Sequence, residues 1–268
     1  MNFINEVIAS PFDARDYHIA VASTEFPEEY HCPIFVPVKN QGSYPTCTAH
    51  ACSVVMEYHH LRQTNEFEKF STEFIYGLRE PGYYVGDGMS IRDALKTMLH
   101  YGDPYEYEFP GNNDVDKACE RVNADIDALK EMAYPHRISS YYRCVTPKEI
   151  KTALMKHGPV VISMYTYKGA KIVDDIYTWD PNADHGCHAV VIIGWNDKGW
   201  LIQNSWGKGY AGDGKFTLPY EFKINEAWGV CDDIQDEIVK KPTAWEKFWR
   251  GVWNRITNLF WVIFKHQK

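Results

Sequence analysis

Hydrophobic positions change their period about halfway along this chain. Between Cys47 and about Arg62, the residues Cys47, Ala51, Val54, Val55, Tyr58 and Leu61 recur near i, i+3, i+4 and i+7, the spacing of one helical face, and Thr46 stands where an N-cap belongs. Ser71 is placed to cap a short second helix over 73–79. Ser90 and Asp93 have the spacing of a capping box with a shortened acid, ahead of Ile91, Ala94, Leu95, Met98 and Leu99, and Gly102 supplies a stop. A further helix is expected over 115–132, closed by Pro135. Thr146-Pro147-Lys148-Glu149 combines a capping box with proline at the first helical position, and Gly158 ends that helix. The pattern then becomes strand-like over 160–165, 188–195, 200–203 and 215–218, with Gly, Asn and Asp turns between. Residues 1–45 read as irregular, with a short extended piece at 35–38. Helices first and strands second predict an α+β protein with two segregated halves, and a cleft between them is a favoured ligand site.

Composition narrows the class. The chain has 268 residues, 45% hydrophobic and 15% aromatic, enough to bury a core and too apolar for disorder. A net charge of −8 leaves no basic face for phosphates, so nucleic acid is not an expected partner. The N-terminal stretch has neither a basic n-region nor a sustained apolar run, and no spanning helix is expected; cytoplasmic residence follows as the expectation. Seven cysteines (Cys32, Cys47, Cys52, Cys119, Cys144, Cys187, Cys231) are scattered in an odd number without zinc-site spacing. One thiol with its own chemistry among reduced bystanders is the economical reading.

Three segments can supply that chemistry: Asn40 to Ala49, then Cys187-His188-Ala189-Val190, then Gln203-Asn204-Ser205-Trp206-Gly207. A thiolate is stabilised at a helix N-terminus by the helix dipole and by a neighbouring imidazolium, and Cys47 opens the first predicted helix. His188, at the start of a predicted strand, can hold and return the proton. Asn204 can orient the far ring nitrogen, while the Cys47 N–H and the Gln41 carboxamide can donate to an oxyanion. Taken singly, these residues have plainer readings: Cys47 a packed thiol, His188 a core histidine, Asn204 a turn former. The adjacent Cys187 and His188 could open a metal or redox site, but nothing else supplies ligands.

Together the segments resemble the papain-like cysteine peptidases. The resemblance rests on Asn40-Gln41-Gly42-Ser43 ahead of Cys47, His188-Ala189-Val190 ahead of Gly194-Trp195, and Asn204-Ser205-Trp206-Gly207 followed by a glycine-rich turn; weaker similarity extends over about 30–235. It implies a two-lobed fold, with a helical lobe over about 47–140 and a β-barrel-like lobe over about 141–241 plus the N-terminal segment. The active site would lie between them. It implies Cys47 as nucleophile, His188 as acid/base, Asn204 as orienter and Gln41 as oxyanion donor. Trp206 would shield the His–Asn hydrogen bond, and Trp206, Gly88, Met89 and Cys187 would border the substrate. That substrate would be a polypeptide, and no metal or organic cofactor is called for. Asp233 and Asp236 follow the segment that in relatives reaches a substrate pocket.

Tyr44, Pro45 and Thr48 depart from the family pattern. Without a cysteine at 44 one usual disulfide cannot form, and 46 residues ahead of Cys47 leave no room for a long inhibitory propeptide; both suggest a bacterial-type branch. Two alternatives share the same residues. One transfers the acyl group to an amine instead of water, in transpeptidation or crosslinking; the other is a catalytically silent binding module.

The segment 242–268 reads as a unit separate from 1–241. It carries five basic residues and one acid, a local +4, so the remainder carries −12. Trp245, Phe248, Trp249, Val252, Ile256, Leu259, Phe260 and Ile263 follow helical spacing, the composition of an interfacial helix that meets a membrane surface, packs on protein or self-associates. If it binds membranes, the full chain sediments with anionic vesicles and a chain ending at Lys241 stays in the supernatant; equal partitioning of the two removes the membrane reading.

Overall fold

The first helix is central rather than one-faced. In the computed structural model, which describes residues 7–11, 13, 16–21, 25–79, 87–111 and 117–232, α1 (Cys47–Thr64) is buried from Cys47 to His59 except at His50. It packs against two further helices, α2 (Thr72–Gly77) and α3 (Ile91–His100), on one side and strands on the other. A helix covered on all sides must take in its polar positions too, which puts Ser53, Glu57 and His59 in the interior. Thr46 occupies the N-cap position, but its side chain makes no capping hydrogen bond, contrary to the expectation. The N–H groups of the first turn therefore keep the donor capacity that a hydroxyl cap would have taken.

The other caps follow the sequence closely. Ser71 accepts from Phe74 N, Ser90 from Asp93 N, and Thr146 and Glu149 complete a reciprocal box at the start of α6 (Pro147–Lys156). The helix expected over 115–132 is instead two: α4 (Ala118–Ala124) and α5 (Ile126–Ala133), parted at Asp125 and followed by a 3-10 turn at Tyr134–His136. Val122, Leu129 and Ala133 bury with Phe74 and Phe109 in a small second cluster. Their spacing suits a continuous helix, so apolar periodicity carries no sign of the break.

Among the described residues nine strands form the other half: β1 (Tyr30–His31), β2 (Ser140–Cys144), β3 (Val160–Tyr167), β4 (Lys171–Val173), β5 (Ile176–Thr178), β6 (His185–Trp195), β7 (Gly199–Gln203), β8 (Lys215–Pro219) and β9 (Glu226–Cys231). They make one sheet in the order β2-β9-β3-β6-β7-β8-β5-β4, antiparallel except for a single parallel β5–β8 contact, with β1 added to the end of β6. No ladder joins β2 to β4, so among the described residues the sheet is open where a barrel-like closure was expected. The extended piece expected at 35–38 is not a strand. Pairing falls earlier, at Tyr30–His31, because Gly194 lets the chain approach: a Cβ there would lie 2.2 Å from the Tyr30 carbonyl oxygen. Asp233, Asp236 and the segment 242–268 lie outside the described residues.

Gly102 closes α3 as expected. Its φ is +86°, and a Cβ would sit 2.0 Å from the Ala133 carbonyl oxygen, where α5 ends. Gly102→Ala should therefore cost about 1–3 kcal/mol, read as a lowered urea midpoint with an unchanged slope; a wild-type midpoint would show that this junction yields.

Candidate active site

The site forms where the first residue of α1 meets the middle of β6. The Ala189 N–H donates to Cys47 Sγ at 3.5 Å, which sets the sulfur beside the strand residue that follows His188. One strand over, β7 ends at Gln203 and delivers Asn204. Its Oδ1 lies 2.8 Å from His188 Nε2 and accepts the Ser205 N–H at 2.7 Å. A main-chain N–H can only donate, so the facing atom is the carboxamide oxygen, and the imidazole must carry its proton on Nε2 in that bond. Nδ1 is then the ring nitrogen left to exchange a proton with another group. Trp206 stacks on the His188 ring with centroids 4.5 Å apart and planes 21° apart, and Tyr210 stands edge-on to Trp206 at 4.8 Å. The indole therefore lies over the ring whose Nε2 bonds Asn204.

Gln41 reaches the same place from the segment before α1. Asn40 bridges to Trp206, and the Gln41 N–H donates to the Ser205 carbonyl at 2.8 Å. Its side chain is held at both ends: Oε1 accepts the Ser205 hydroxyl at 2.6 Å, and Nε2 donates to the Tyr44 carbonyl at 2.9 Å. Ser205 therefore aims the carboxamide, a role not assigned from sequence although the residue lies within the quoted motif. Gln41, Cys47, His188 and Asn204 are 3%, 0%, 2% and 2% exposed. With the sulfur wholly covered, a peptide carbonyl reaches it only when a neighbouring group moves aside.

The residues expected at the border are placed differently from one another. Gly88 and Met89 lie against the first turn of α1, where the Met89 carbonyl accepts the Thr48 hydroxyl at 3.1 Å and the Ile8 N–H at 3.3 Å. Gly88 donates to the Tyr76 hydroxyl and accepts from Arg79. Met89 is fully buried, so the polar main-chain groups of this segment serve the fold. Cys187 pairs with Tyr165 across β3 and β6, and strand alternation turns its side chain to the face opposite His188. Among the described residues no three His, Cys, Asp or Glu side chains converge as a metal site. A cavity of about 330 Å3, bordered by Asp175, Lys198, Lys215 and Phe216, includes none of the residues around Cys47.

Three fully or largely buried thiols, Cys32, Cys52 and Cys144, are held in their protonated, weakly nucleophilic form. Burial pushes Cys32 and Cys144 up to about 12, and raises Cys52 further. Beneath the Gln41 segment lies a second group of buried ionisable residues. Lys39 Nζ meets Glu57 Oε1 at 2.5 Å, and Asp103, fully buried, lies near both.

The profile of papain family cysteine proteases matches residues 24–235, so the chain belongs to that family. An uncharacterized peptidase C1-like protein of Acanthamoeba polyphaga mimivirus is 26% identical over 225 residues, covering 75% of this chain and 71% of its own. Papain of Carica papaya is 24% identical over 200 residues, and the match spans 73% of this chain but 54% of papain's sequence. Among solved structures, xylellain, a cysteine protease from Xylella fastidiosa, superposes with a TM-score of 0.70 at 22% identity, covering 84% of this chain and 95% of xylellain. The cysteine protease and lectin-like domains of Cwp84 from Clostridium difficile superpose with a TM-score of 0.66 at 21% identity, over 84% of this chain and 55% of that one. At these identities the superpositions establish the shared fold.

Burial is the largest cause that raises Asp103 well above the usual carboxylate range; Lys39 opposes it and Glu57 adds to it. A carboxyl raised in the folded protein contributes stability below its unfolded value, near 3.8, which is lost as pH climbs through the folded value. Asp103→Asn removes that titration. Its melting temperature should fall less than that of the wild type between pH 4.5 and 8; parallel profiles would place the titration elsewhere.

Proposed function

We propose that this chain hydrolyses peptide bonds through a thioester acyl-enzyme, with Cys47, His188 and Asn204 as the catalytic set and Gln41 as oxyanion donor. The observation that carries the reading is the double junction on β6 and β7: sulfur at the Ala189 N–H, imidazole on the Asn204 carboxamide oxygen. Cys47 and Ala189, 142 positions apart in sequence, and His188 and Asn204, 16 apart, are brought together, which supports reading them as a nucleophile, its base and the orienter of that base.

In the first half-reaction, the Cys47 thiol passes its proton to His188 and the thiolate attacks the carbonyl carbon. The N-terminal end of α1 favours the negative sulfur, and the Asn204 bond keeps the imidazole turned toward it. Charge collects on the carbonyl oxygen, where the Cys47 N–H and the Gln41 Nε2–H would donate. Gln41 suits that task because Ser205 and Tyr44 fix it beforehand, so little reorganisation accompanies the charge. His188 then gives its proton to the departing amine, the C–N bond breaks and a thioester remains. In the second half-reaction, water gives a proton to His188, attacks the thioester and releases the acid, and the proton returns to sulfur.

Cys47→Ala should lower hydrolysis of a fluorogenic peptide under reducing conditions by about 10^4-fold or more and abolish labelling by a thiol-directed epoxide. Gln41→Ala should leave a residual rate about 10^2–10^3-fold below wild type. Full hydrolysis by Cys47→Ala overturns the reading.

A further inference from the structure

Lys39 stands two residues before Gln41, yet its side chain leaves the site and enters the helical interior. Its ammonium meets Glu57 Oε1 at 2.5 Å, with the two side chains 13% and 1% exposed. The same oxygen accepts the Phe70 N–H at 3.2 Å. The Lys39 main chain faces the other way, where its carbonyl accepts the Gly207 N–H at 2.9 Å. The segment 39–41 is therefore gripped from both sides: by 205–207 through main-chain bonds, and by α1 through one buried ion pair ten residues along the helix from Cys47.

We propose that Lys39 and Glu57 are positioning residues that set the Gln41 carboxamide relative to the Cys47 sulfur. The two groups that must face one carbonyl belong to different segments. Gln41 is on the irregular stretch and Cys47 on the helix. Between them the chain turns through Gly42, whose φ of +63° any unanchored loop could relax. The ion pair removes that freedom by fastening the start of the stretch to the helix that carries the sulfur. Asp103 sits in the same pocket, where burial raises both its carboxyl and that of Glu57, and of the two acids it is Glu57 that the ammonium bonds. A buried pair of this kind adds little net stability against an apolar replacement, and its value lies in where it holds things.

The inference rests on the peptidase reading, and the test separates the two. The double variant Lys39→Met with Glu57→Gln removes both charges, so no orphaned ion threatens folding, and the substituted carboxamide keeps an acceptor oxygen for the Phe70 N–H. It is compared with wild type in backgrounds with Gln41 and with Gln41→Ala. With Gln41 present, kcat should fall about 10- to 100-fold with KM little changed. In the Gln41→Ala background the same double change should cost less than about threefold, since nothing remains to be aimed. Equal losses in both backgrounds, or none in either, overturn the proposal. Hydrogen exchange gives a readout without turnover: the Gln41 and Gly207 amides should exchange at least about tenfold faster in the double variant while those of β7 stay protected. Unchanged protection at Gln41 and Gly207 overturns the clamp even if no peptide is cleaved. Faster exchange in a chain whose wild type hydrolyses nothing leaves the clamp standing and sinks the peptidase reading.

Discussion

The start of a buried helix is pressed against the main chain of a central strand, and most of the molecule can be understood as what that contact demands. A helix N-terminus brings several N–H groups that no carbonyl of its own can take up. Here the Thr46 side chain does not cap them, the first residues of the helix are buried, and the Cys47 sulfur at that end accepts the Ala189 N–H of β6. Holding such an end inside a protein requires walls on every side. They are provided by α2, α3 and the Met89 segment on one flank and by β6 and β3 on the other.

The polar groups around that contact form a chain in which each member fixes the next. Ser205 is its hub. Its N–H and its hydroxyl go to Asn204 and Gln41 respectively, and its carbonyl takes the Gln41 N–H. One residue thereby bonds both Asn204, whose oxygen faces the imidazole, and the Gln41 carboxamide. These bonds satisfy the Gln41 carboxamide oxygen, the Ser205 hydroxyl and the Asn204 oxygen in the interior, while the buried Asn204 Nδ2 has no hydrogen-bond partner among the described residues. The contrast with Cys32, Cys52 and Cys144 is chemical. Burial holds those three in the protonated form, with Asp103 adding to it at Cys52 and Glu149 at Cys144, whereas Cys47, buried in the same core, has a main-chain N–H at its sulfur and an imidazole on the residue before that N–H.

Family membership and geometry constrain different things. The papain family profile covers residues 24–235, and the superpositions show that xylellain and this chain share an architecture at low identity. Neither bears on what surrounds the site in this chain, such as Tyr44 offering its carbonyl to Gln41 or Asp103 beneath the Lys39–Glu57 pair. Those particulars depend on packing between segments far apart in sequence.

How much could be read without coordinates varied with the range of the forces involved. Caps at Ser71, Ser90 and Thr146, the stops at Gly102 and Gly158, and four of the longer strands were legible because side-chain-to-backbone bonds and local periodicity act within a few residues. The motif around Cys47, His188 and Asn204 was legible because its spacing is specific even when each residue is ordinary alone. Strands β2, β4, β5 and β9 were not, nor was the break at Asp125: each is stabilised by a partner strand or a packing neighbour rather than by its own pattern. Nor could local sequence assign Glu57 and Ser205 their parts, since an acid on a helix and a serine after an asparagine gain meaning only from Lys39 and Gln41 arriving opposite them. Residue chemistry and short-range order are thus written in the linear chain; the burial that turns a polar side chain into an anchor or an aimed donor exists only once the whole polymer has closed around it.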